Sequence, residues 1–283
     1  MKDTECVQFL QWALPRLHMR WPGFRKVRGQ VCKRLAGRLK ELMLADASDY
    51  CTYLETHADE WRLLDSLCRV TISRFYREKA VFQFLEQRVI PALIDNMTAC
   101  GENQFNVLCL GSASGEEPYT IAILWQLQFQ DKFPGMTLNI IATEADSALI
   151  LRGGQACYPY SSIKNLPEAW RLKAFDNQDD LYCLKTEFRS GVQFLQQDIR
   201  AMVPAGPFDL ILCRNLVFTY FDEPLQQRIL CQIVRELRPQ GALVIGIHEA
   251  LPESLSASHP VPLTLLSPWS GRLGIFKKTS ALR

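Results

Sequence analysis

The residues of this chain able to do chemistry sit where apolar runs break. Phe105, Val107, Leu108, Cys109 and Leu110 form one such run, and it breaks at Gly111-Ser112-Ala113-Ser114-Gly115. Glu116, Glu117 and Pro118 follow, and an apolar-periodic helix begins. Small residues let a backbone approach a ligand, and the free N–H groups of a helix start face it. The spacing is Gly-x-x-x-Gly, which is not the dinucleotide fingerprint. Three more polar side chains close apolar runs: Glu144 after Thr137–Thr143, Asp198 after Gln193–Gln197, and Asn215 after Phe208–Cys213 and Arg214.

In an open α/β sheet the ligand lies off the carboxyl ends of the strands. An acid after the second strand suits the two hydroxyls of a ribose. An acid or amide after the third suits an adenine amino group, and the Asn215 amide suits a zwitterionic amino-acid moiety. Glu116 and Glu117 would repel a pyrophosphate at close range but favour a sulfonium and an ammonium. The acids therefore point to S-adenosylmethionine over NAD. One of the two glutamates is expected to act only as a first-turn acid that complements the helix dipole.

The elements that must position these residues alternate. Strand and helix succeed one another from Phe105 onward, which implies a mostly parallel sheet with helices on both faces. Leu225–Leu237 reads as an amphipathic helix with Asp222 as N-cap, followed by a strand over Ala242–Ile247. Leu263–Leu266 and Leu273–Lys277 read as a closing antiparallel hairpin over Ser267–Gly271. Residues 153–205 form an insertion whose alternating piece, Tyr182–Phe188, predicts a short hairpin. Residues 1–70 carry helical periodicity and little strand signal, with helices over Gln30–Ala45, over Asp49–Leu67 with Ser48 as N-cap, and over Ala80–Ile94 beyond them. The division expected is a helical domain at 1–70, an inter-domain segment and helix at 71–104, and an α/β domain at 105–283.

Arg16, Arg20, Arg25, Lys26, Arg28, Lys33, Arg34, Arg38 and Lys40 follow one another with no acid among them. This is either the solvated face of a core-packed helix or a docking surface for an acidic partner. Few aromatics interleave with the cations, so nucleic acid is not the expected partner. The whole chain of 283 residues carries a net charge of only +2. Its ten cysteines show no Cys-x-x-Cys pair, which argues against a zinc site or redox pair and fits a reducing, cytoplasmic setting. No apolar run approaches the ~20 residues of a membrane helix. No metal is expected, and a monomer is.

Four stretches, Thr71–Glu78 (TISRFYRE), Gly111–Tyr119 (GSASGEEPY), Phe208–Asp222 (FDLILCRNLVFTYFD) and Arg238–Glu249 (RPQGALVIGIHE), give the chain a specific likeness. It resembles the CheR-type chemotaxis receptor glutamate O-methyltransferases. The resemblance implies an all-α N-terminal domain and a class I, Rossmann-like methyltransferase domain with a small β-subdomain, in the place of the 153–205 insertion. It implies that Thr71, Ser73 and Arg77 reach the cofactor, with Arg77 meeting its carboxylate. Gly111 and Ser112 would bind the cofactor, Glu116 near its methionine part, Glu144 the ribose, Asp198 and Ile199 the adenine, and Asn215 with Leu216 the amino-acid portion. Tyr220 and Arg77 are implied as the catalytic pair. The sequence departs from the pattern at Thr71 (usually asparagine), Ser73 (usually threonine) and Glu144 (usually aspartate), and has one extra residue between Asn215 and Tyr220.

A glutamate acceptor, with a pKa near ~4.3, is already ionised at neutral pH and needs no general base. His248 beside Glu249 accordingly reads as a hydrogen-bonding residue at a strand end. Three functions fit: methyl-ester formation on glutamates of a protein that docks on the basic helices, methylation of RNA or a small molecule on the same fold, and binding of the cofactor or S-adenosylhomocysteine without turnover.

Overall fold

The computed structural model describes residues 1–252 and 265–279. It divides into two compact units, one of residues 1–71 with 216–226, the other of residues 72–215 with 227–279.

The first unit is helical. It contains α1 (Asp3–Ala13), α2 (Trp21–Phe24), α3 (Arg28–Glu41), α4 (Ala47–Thr56) and α5 (Glu60–Cys68). Phe9, Leu10, Val31, Leu35, Leu39, Tyr50, Leu54 and Leu64 are buried at helical spacing, with the rings of Phe9 and Tyr50 stacked 5.4 Å apart. The single helix expected over Asp49–Leu67 is two. Asp46, rather than Ser48, caps the first, accepting from the N–H groups of Ser48 and Asp49 at 2.8 and 3.0 Å. That helix stops where His57 leaves helical geometry (φ −126°, ψ 87°).

Five of the nine cations prove structural. Arg28 pairs with Asp3, Arg34 donates to the carbonyls of Leu67 and Arg69, and Arg20 to those of Phe218 and Thr219. Arg16 lies over the Trp12 ring and donates to the Trp12 carbonyl. Arg38 grips Glu60 through Nε and Nη2 at 2.9 and 2.8 Å, and the buried Glu60 also accepts from the Tyr50 hydroxyl at 2.7 Å. Arg25, Lys26, Lys33 and Lys40 stay exposed.

The second unit opens with α6 (Lys79–Phe84), a π turn (Leu85–Val89) and α7 (Ile90–Ala99). Pro91 has no N–H and its ring crowds the carbonyl four residues back, so the ladder widens there. A seven-stranded sheet follows, in the order β6 (Val192–Gln196), β2 (Thr137–Glu144), β1 (Gln104–Leu110), β7 (Phe208–Leu212), β8 (Leu237–Val244), β10 (Ile275–Lys278), β9 (Leu266–Ser270). The first five are parallel; β10 is antiparallel to both its neighbours. β1 and β7 are nearly wholly buried, as strands covered on both faces must be. Helices α8 (Glu116–Gln128), α9 (Ser147–Gln155) and α13 (Glu223–Glu236) connect the strands. From β1 the order runs one way to β2 and β6, then the other way to β7, so the topological switch lies at the carboxyl end of β1.

Four expectations shift. Strand β8 starts at Leu237 and stops at Val244. The closing hairpin turns at Gly271–Gly274, and Pro268 lies inside β9, an edge strand, where proline is tolerated; Leu263 lies outside the described residues. The insertion is narrower than 153–205, since α9 runs to Gln155 and β6 belongs to the main sheet. It forms a separate sheet, β3 (Cys157–Pro159), β5 (Leu181–Leu184) and β4 (Phe175–Gln178), with α10 (Tyr160–Ile163) and α11 (Glu168–Ala174). Its hairpin is β4–β5, not Tyr182–Phe188.

The cysteines are not all thiols. Cys6–Cys32 joins α1 to α3, and Cys157–Cys183 joins directly paired positions of β3 and β5. Helix packing and strand register bring together residues that no short spacing flagged, so the cysteine argument for a reducing compartment loses its force. Cys109, Cys213 and Cys231 are buried, as expected from their apolar runs.

The Arg38–Glu60 pair yields a pH-dependent prediction. The hydrogen bonds from Arg38 hold the Glu60 carboxyl below the usual carboxylate range, against the opposing effect of burial. A depressed acid stabilises above its unfolded pKa and loses that contribution as pH falls through its folded pKa. Arg38→Ala should cost about 2–3 kcal/mol at pH 7 in urea unfolding, toward the low end for a buried pair because Arg38 is part-exposed. The gap to wild type should narrow as pH drops below ~4; a gap that widens in acid would refute the assignment.

Candidate active site at the carboxyl ends of the sheet

The turn after β1 is built from left-handed backbone. Gly111, Ala113 and Gly115 have φ of 70°, 48° and 90°. The Ser112 N–H donates to the Thr143 carbonyl at 2.9 Å, and the Ala113 N–H to Glu144 Oε2 at 3.0 Å, so the ends of β1 and β2 are tied together. Glu144 Oε1 accepts from the N–H groups of Ala145 and Asp146. Tyr158, reaching from the small sheet, donates to the Ser114 carbonyl at 2.7 Å. A Cβ at Gly115 would fall 2.9 Å from the Phe194 ring and 3.0 Å from Tyr119. Only glycine admits both the φ and the approach.

Glu116 and Glu117, adjacent in sequence, have different fates. Glu116 is buried; its Oε1 accepts from the Ser114 hydroxyl at 2.9 Å, while Oε2 has no partner. The buried Ser112 Oγ is likewise unpartnered. Two orphaned polar atoms on one turn are costly unless a polar ligand meets them, so this turn fits a cofactor with hydrogen-bonding and cationic groups. Glu117 is no dipole-complementing surface acid. It accepts from Arg214 Nη1 at 2.6 Å, and burial pushes its carboxyl above the usual range despite that cation, with the nearby Glu78 charge adding to the rise.

Arg214, two residues after β7, is buried and bridges two carboxylates, meeting Glu117 and, through Nη2, Glu78 at 2.9 Å. The Arg77 carbonyl also accepts from Nη2 at 2.8 Å. Desolvation disfavours the guanidinium's charge, but the two carboxylates outweigh it and raise its pKa. Phe75 is packed edge-on against Tyr158 and Phe175, and the Tyr76 N–H donates to Thr120 Oγ1 at 3.1 Å, which pins the segment before Arg77. Arg77 Nη2 then donates to Asn215 Oδ1 at 3.1 Å, and Nη1 to the Ile72 carbonyl at 2.7 Å. Asn215 is left-handed (φ 56°), and its N–H donates to Glu249 Oε2 at 2.8 Å.

Of the residues singled out from sequence, the structure places Gly111, Ser112 and Glu116 at one turn, bonds Glu144 to it from the end of β2, and brings Arg77 and Asn215 into contact. Ser73 is half-buried on the segment leading to Arg77. Asp198, two residues beyond the end of β6, is held bidentately by Arg200 at 2.6–3.1 Å, so a ligand would share its carboxylate; Ile199 beside it is buried. Thr71, Leu216 and Tyr220 belong to the first unit. Thr71 is exposed. Leu216 opens the short helix α12 (Val217–Tyr220), and the Tyr220 ring packs edge-on against Phe24 at 5.1 Å. Glu78, Glu117, Arg214 and Glu249 were not singled out as a group. Nothing in their spacing reveals that they converge, although an arginine closing an apolar strand run was a signal that it is buried and paired. His248 is exposed.

The fold and turn thus define a Rossmann-like α/β unit with buried, unpartnered acceptors on the turn at its topological switch point. Residues 71–264 match the CheR methyltransferase, SAM binding domain, and the chain belongs to that family. The "Chemotaxis protein methyltransferase" of Borreliella burgdorferi is 26% identical over 236 residues, covering 82% of this chain and 83% of that protein. "Chemotaxis protein methyltransferase 2" of Vibrio cholerae is 29% identical over 235 residues, covering 81% and 80%. The Escherichia coli protein named "Chemotaxis protein methyltransferase" is 29% identical over 231 residues, covering 78% and 76%. S-Adenosylmethionine is the cofactor.

Gly115→Ala tests the turn. The strained φ and the overlap with Phe194 together should destabilise by about 2–3 kcal/mol and weaken S-adenosylmethionine binding. Gly101→Ala, with φ 73° but open space around its Cβ, should cost only about 1 kcal/mol, and cofactor affinity should hold. Equal costs in paired urea melts would show that packing at the turn contributes nothing.

Proposed function

We propose that this protein transfers the methyl group of S-adenosylmethionine to glutamate side chains of a chemoreceptor, forming methyl esters. The observation carrying this reading is the Arg77–Asn215 contact beside the turn of Ser112 and Glu116, on a chain whose curated relatives are named chemotaxis protein methyltransferases. Arg77 would bind the cofactor's carboxylate, and Asn215 the adjoining amino-acid portion. Glu116 Oε2 and Ser112 Oγ would take its donors and positive charge, and Glu144 the ribose. Asp198 and Ile199 would bound the adenine. Thr71, Ser73, Leu216 and Tyr220 keep their proposed roles from the family resemblance, Tyr220 as a catalytic residue.

The bound cofactor supplies an electrophilic methyl group. The chain's own task is to align an ionised carboxylate with it and exclude water, which asks for no proton transfer. This agrees with a site made of carboxylates, an amide and an arginine. Incubating the protein with a chemoreceptor cytoplasmic fragment and methyl-labelled S-adenosylmethionine should yield label released as methanol by mild base. Label that survives base would exclude an ester and sink the proposal.

The docking part of the proposal rests on the cations that the fold leaves over. Lys33 and Lys40 stand two turns apart on α3 and are exposed, with Lys26 one further step of seven before them. Arg34 and Arg38 are excluded from this role by their internal partners. Lys33→Glu with Lys40→Glu should raise the KM for the receptor fragment about tenfold at low salt, less at high salt, and leave S-adenosylmethionine affinity unchanged. An unchanged KM would remove the acidic-partner reading.

A further inference from the structure

Asn215 carries an amide whose oxygen and nitrogen are nearly the same size, so its own shape does not decide which points where. Its neighbours do. On one side stands Arg77, which can only donate, 3.1 Å from Oδ1. On the other stands Glu78, whose Oε1 accepts from Nδ2 at 3.4 Å. The backbone around the amide is also fixed: Glu249 Oε2 accepts from both the Asn215 and Gly246 N–H groups at 2.8 and 2.7 Å, and a Cβ at Gly246 would lie 3.1 Å from the amide. Glu78 is itself held. Its Oε2 accepts from Arg214 Nη2 at 2.9 Å and from the Ile247 N–H at 3.3 Å, and its backbone is left-handed (φ 63°). Burial raises the Glu78 carboxyl, but the Arg214 charge and the hydrogen bonds outweigh it, so Glu78 stays an acceptor.

We propose that Glu78 is a positioning residue of the cofactor site: anchored on Arg214, it locks the Asn215 amide with its oxygen toward Arg77 and so sets the pair that meets the amino-acid part of the cofactor. The inference rests on the cofactor roles proposed above for Arg77 and Asn215. Glu78 touches no reacting atom and acts through Asn215. Glu117 supplies the matching control, because it sits on the same guanidinium with no recorded bond to the amide. Both carboxylates stabilise Arg214, and only one orients Asn215. Glu78→Gln keeps the shape but replaces an obligate acceptor with an amide that can donate or accept, so the Asn215 amide can turn over.

The test is calorimetric titration of S-adenosylmethionine into wild type, Glu78→Gln, Glu117→Gln, Asn215→Ala and the double variant Glu78→Gln/Asn215→Ala, with melting temperatures recorded for each. Glu78→Gln should raise Kd about tenfold, the scale of one lost hydrogen bond to a charged group, and Glu117→Gln by less than about threefold. In the Asn215→Ala background the Glu78 substitution should change Kd by less than about twofold, since the group it orients is gone. A purely structural role would instead lower both melting temperatures while leaving Kd alike in the two single variants; that result, or a full tenfold effect persisting without Asn215, overturns the proposal. If Glu117→Gln does not fold, the cycle with Asn215 decides alone. Absence of binding by wild type would overturn the cofactor reading beneath, before any variant is compared.

Discussion

The second unit is organised around one buried cation. Arg214 lies almost wholly out of water, and an unpaired guanidinium there would cost several kcal/mol. Its partners come from far along the chain: Glu117 at the start of α8, and Glu78 with the Arg77 carbonyl at the end of the segment entering this unit. Satisfying Arg214 therefore fixes where residues 77–78 run relative to the ends of β1 and β7. Arg77 reaches Asn215 as a consequence. The ion cluster and the candidate cofactor site are two sides of one constraint.

Around that cluster the backbone is held in conformations that L residues seldom adopt. Tyr76, Glu78, Ala113 and Asn215 all have positive φ, and they lie on three segments: the one entering this unit, the turn after β1 and the residues after β7. Each costs of order 1–3 kcal/mol, a cost sustained only where surrounding contacts over-determine it. The contacts here are the buried Phe75 and Tyr76, the Thr120 hydroxyl and the three carboxylates of Glu78, Glu117 and Glu249. Rigidity of this kind suits a reaction whose demand is alignment rather than proton transfer.

What could be read from sequence follows from how local each signal is. Strands β1, β2 and β7 announce themselves as apolar runs, and the residue at the break after each run, Gly111, Glu144 or Asn215, falls near the switch point by topology alone. The Asp222 cap was legible too, its Oδ1 accepting from the Leu225 N–H at 3.0 Å. Interactions closed by the fold over long separations were not. Arg38 reads as one cation in a basic run until Glu60 is seen against it, and Arg34 until two carbonyls at the end of α5 are. The same holds for Cys157 and Cys183, which strand register brings opposite one another. The break at His57 and the π turn before Pro91 were local, yet hidden inside continuous apolar periodicity.

The two glutamates after the turn show how such a reading can be sound for a partly mistaken reason. Taken as two free carboxylates, Glu116 and Glu117 exclude a pyrophosphate. In the fold Glu117 is committed to Arg214 and offers the ligand nothing. What remains is Glu116, with one oxygen on the Ser114 hydroxyl and the other buried and unpartnered. That single acceptor is enough. A phosphate oxygen placed there would face an acceptor with no proton to share, whereas an ammonium or a sulfonium would complete it. Arg77 sits on Asn215, where a carboxylate would join it. Under the roles proposed above, the negative charge of Glu116 and the positive charge of Arg77 would be opposite in sign to the cationic and anionic groups they meet at the amino-acid end of S-adenosylmethionine.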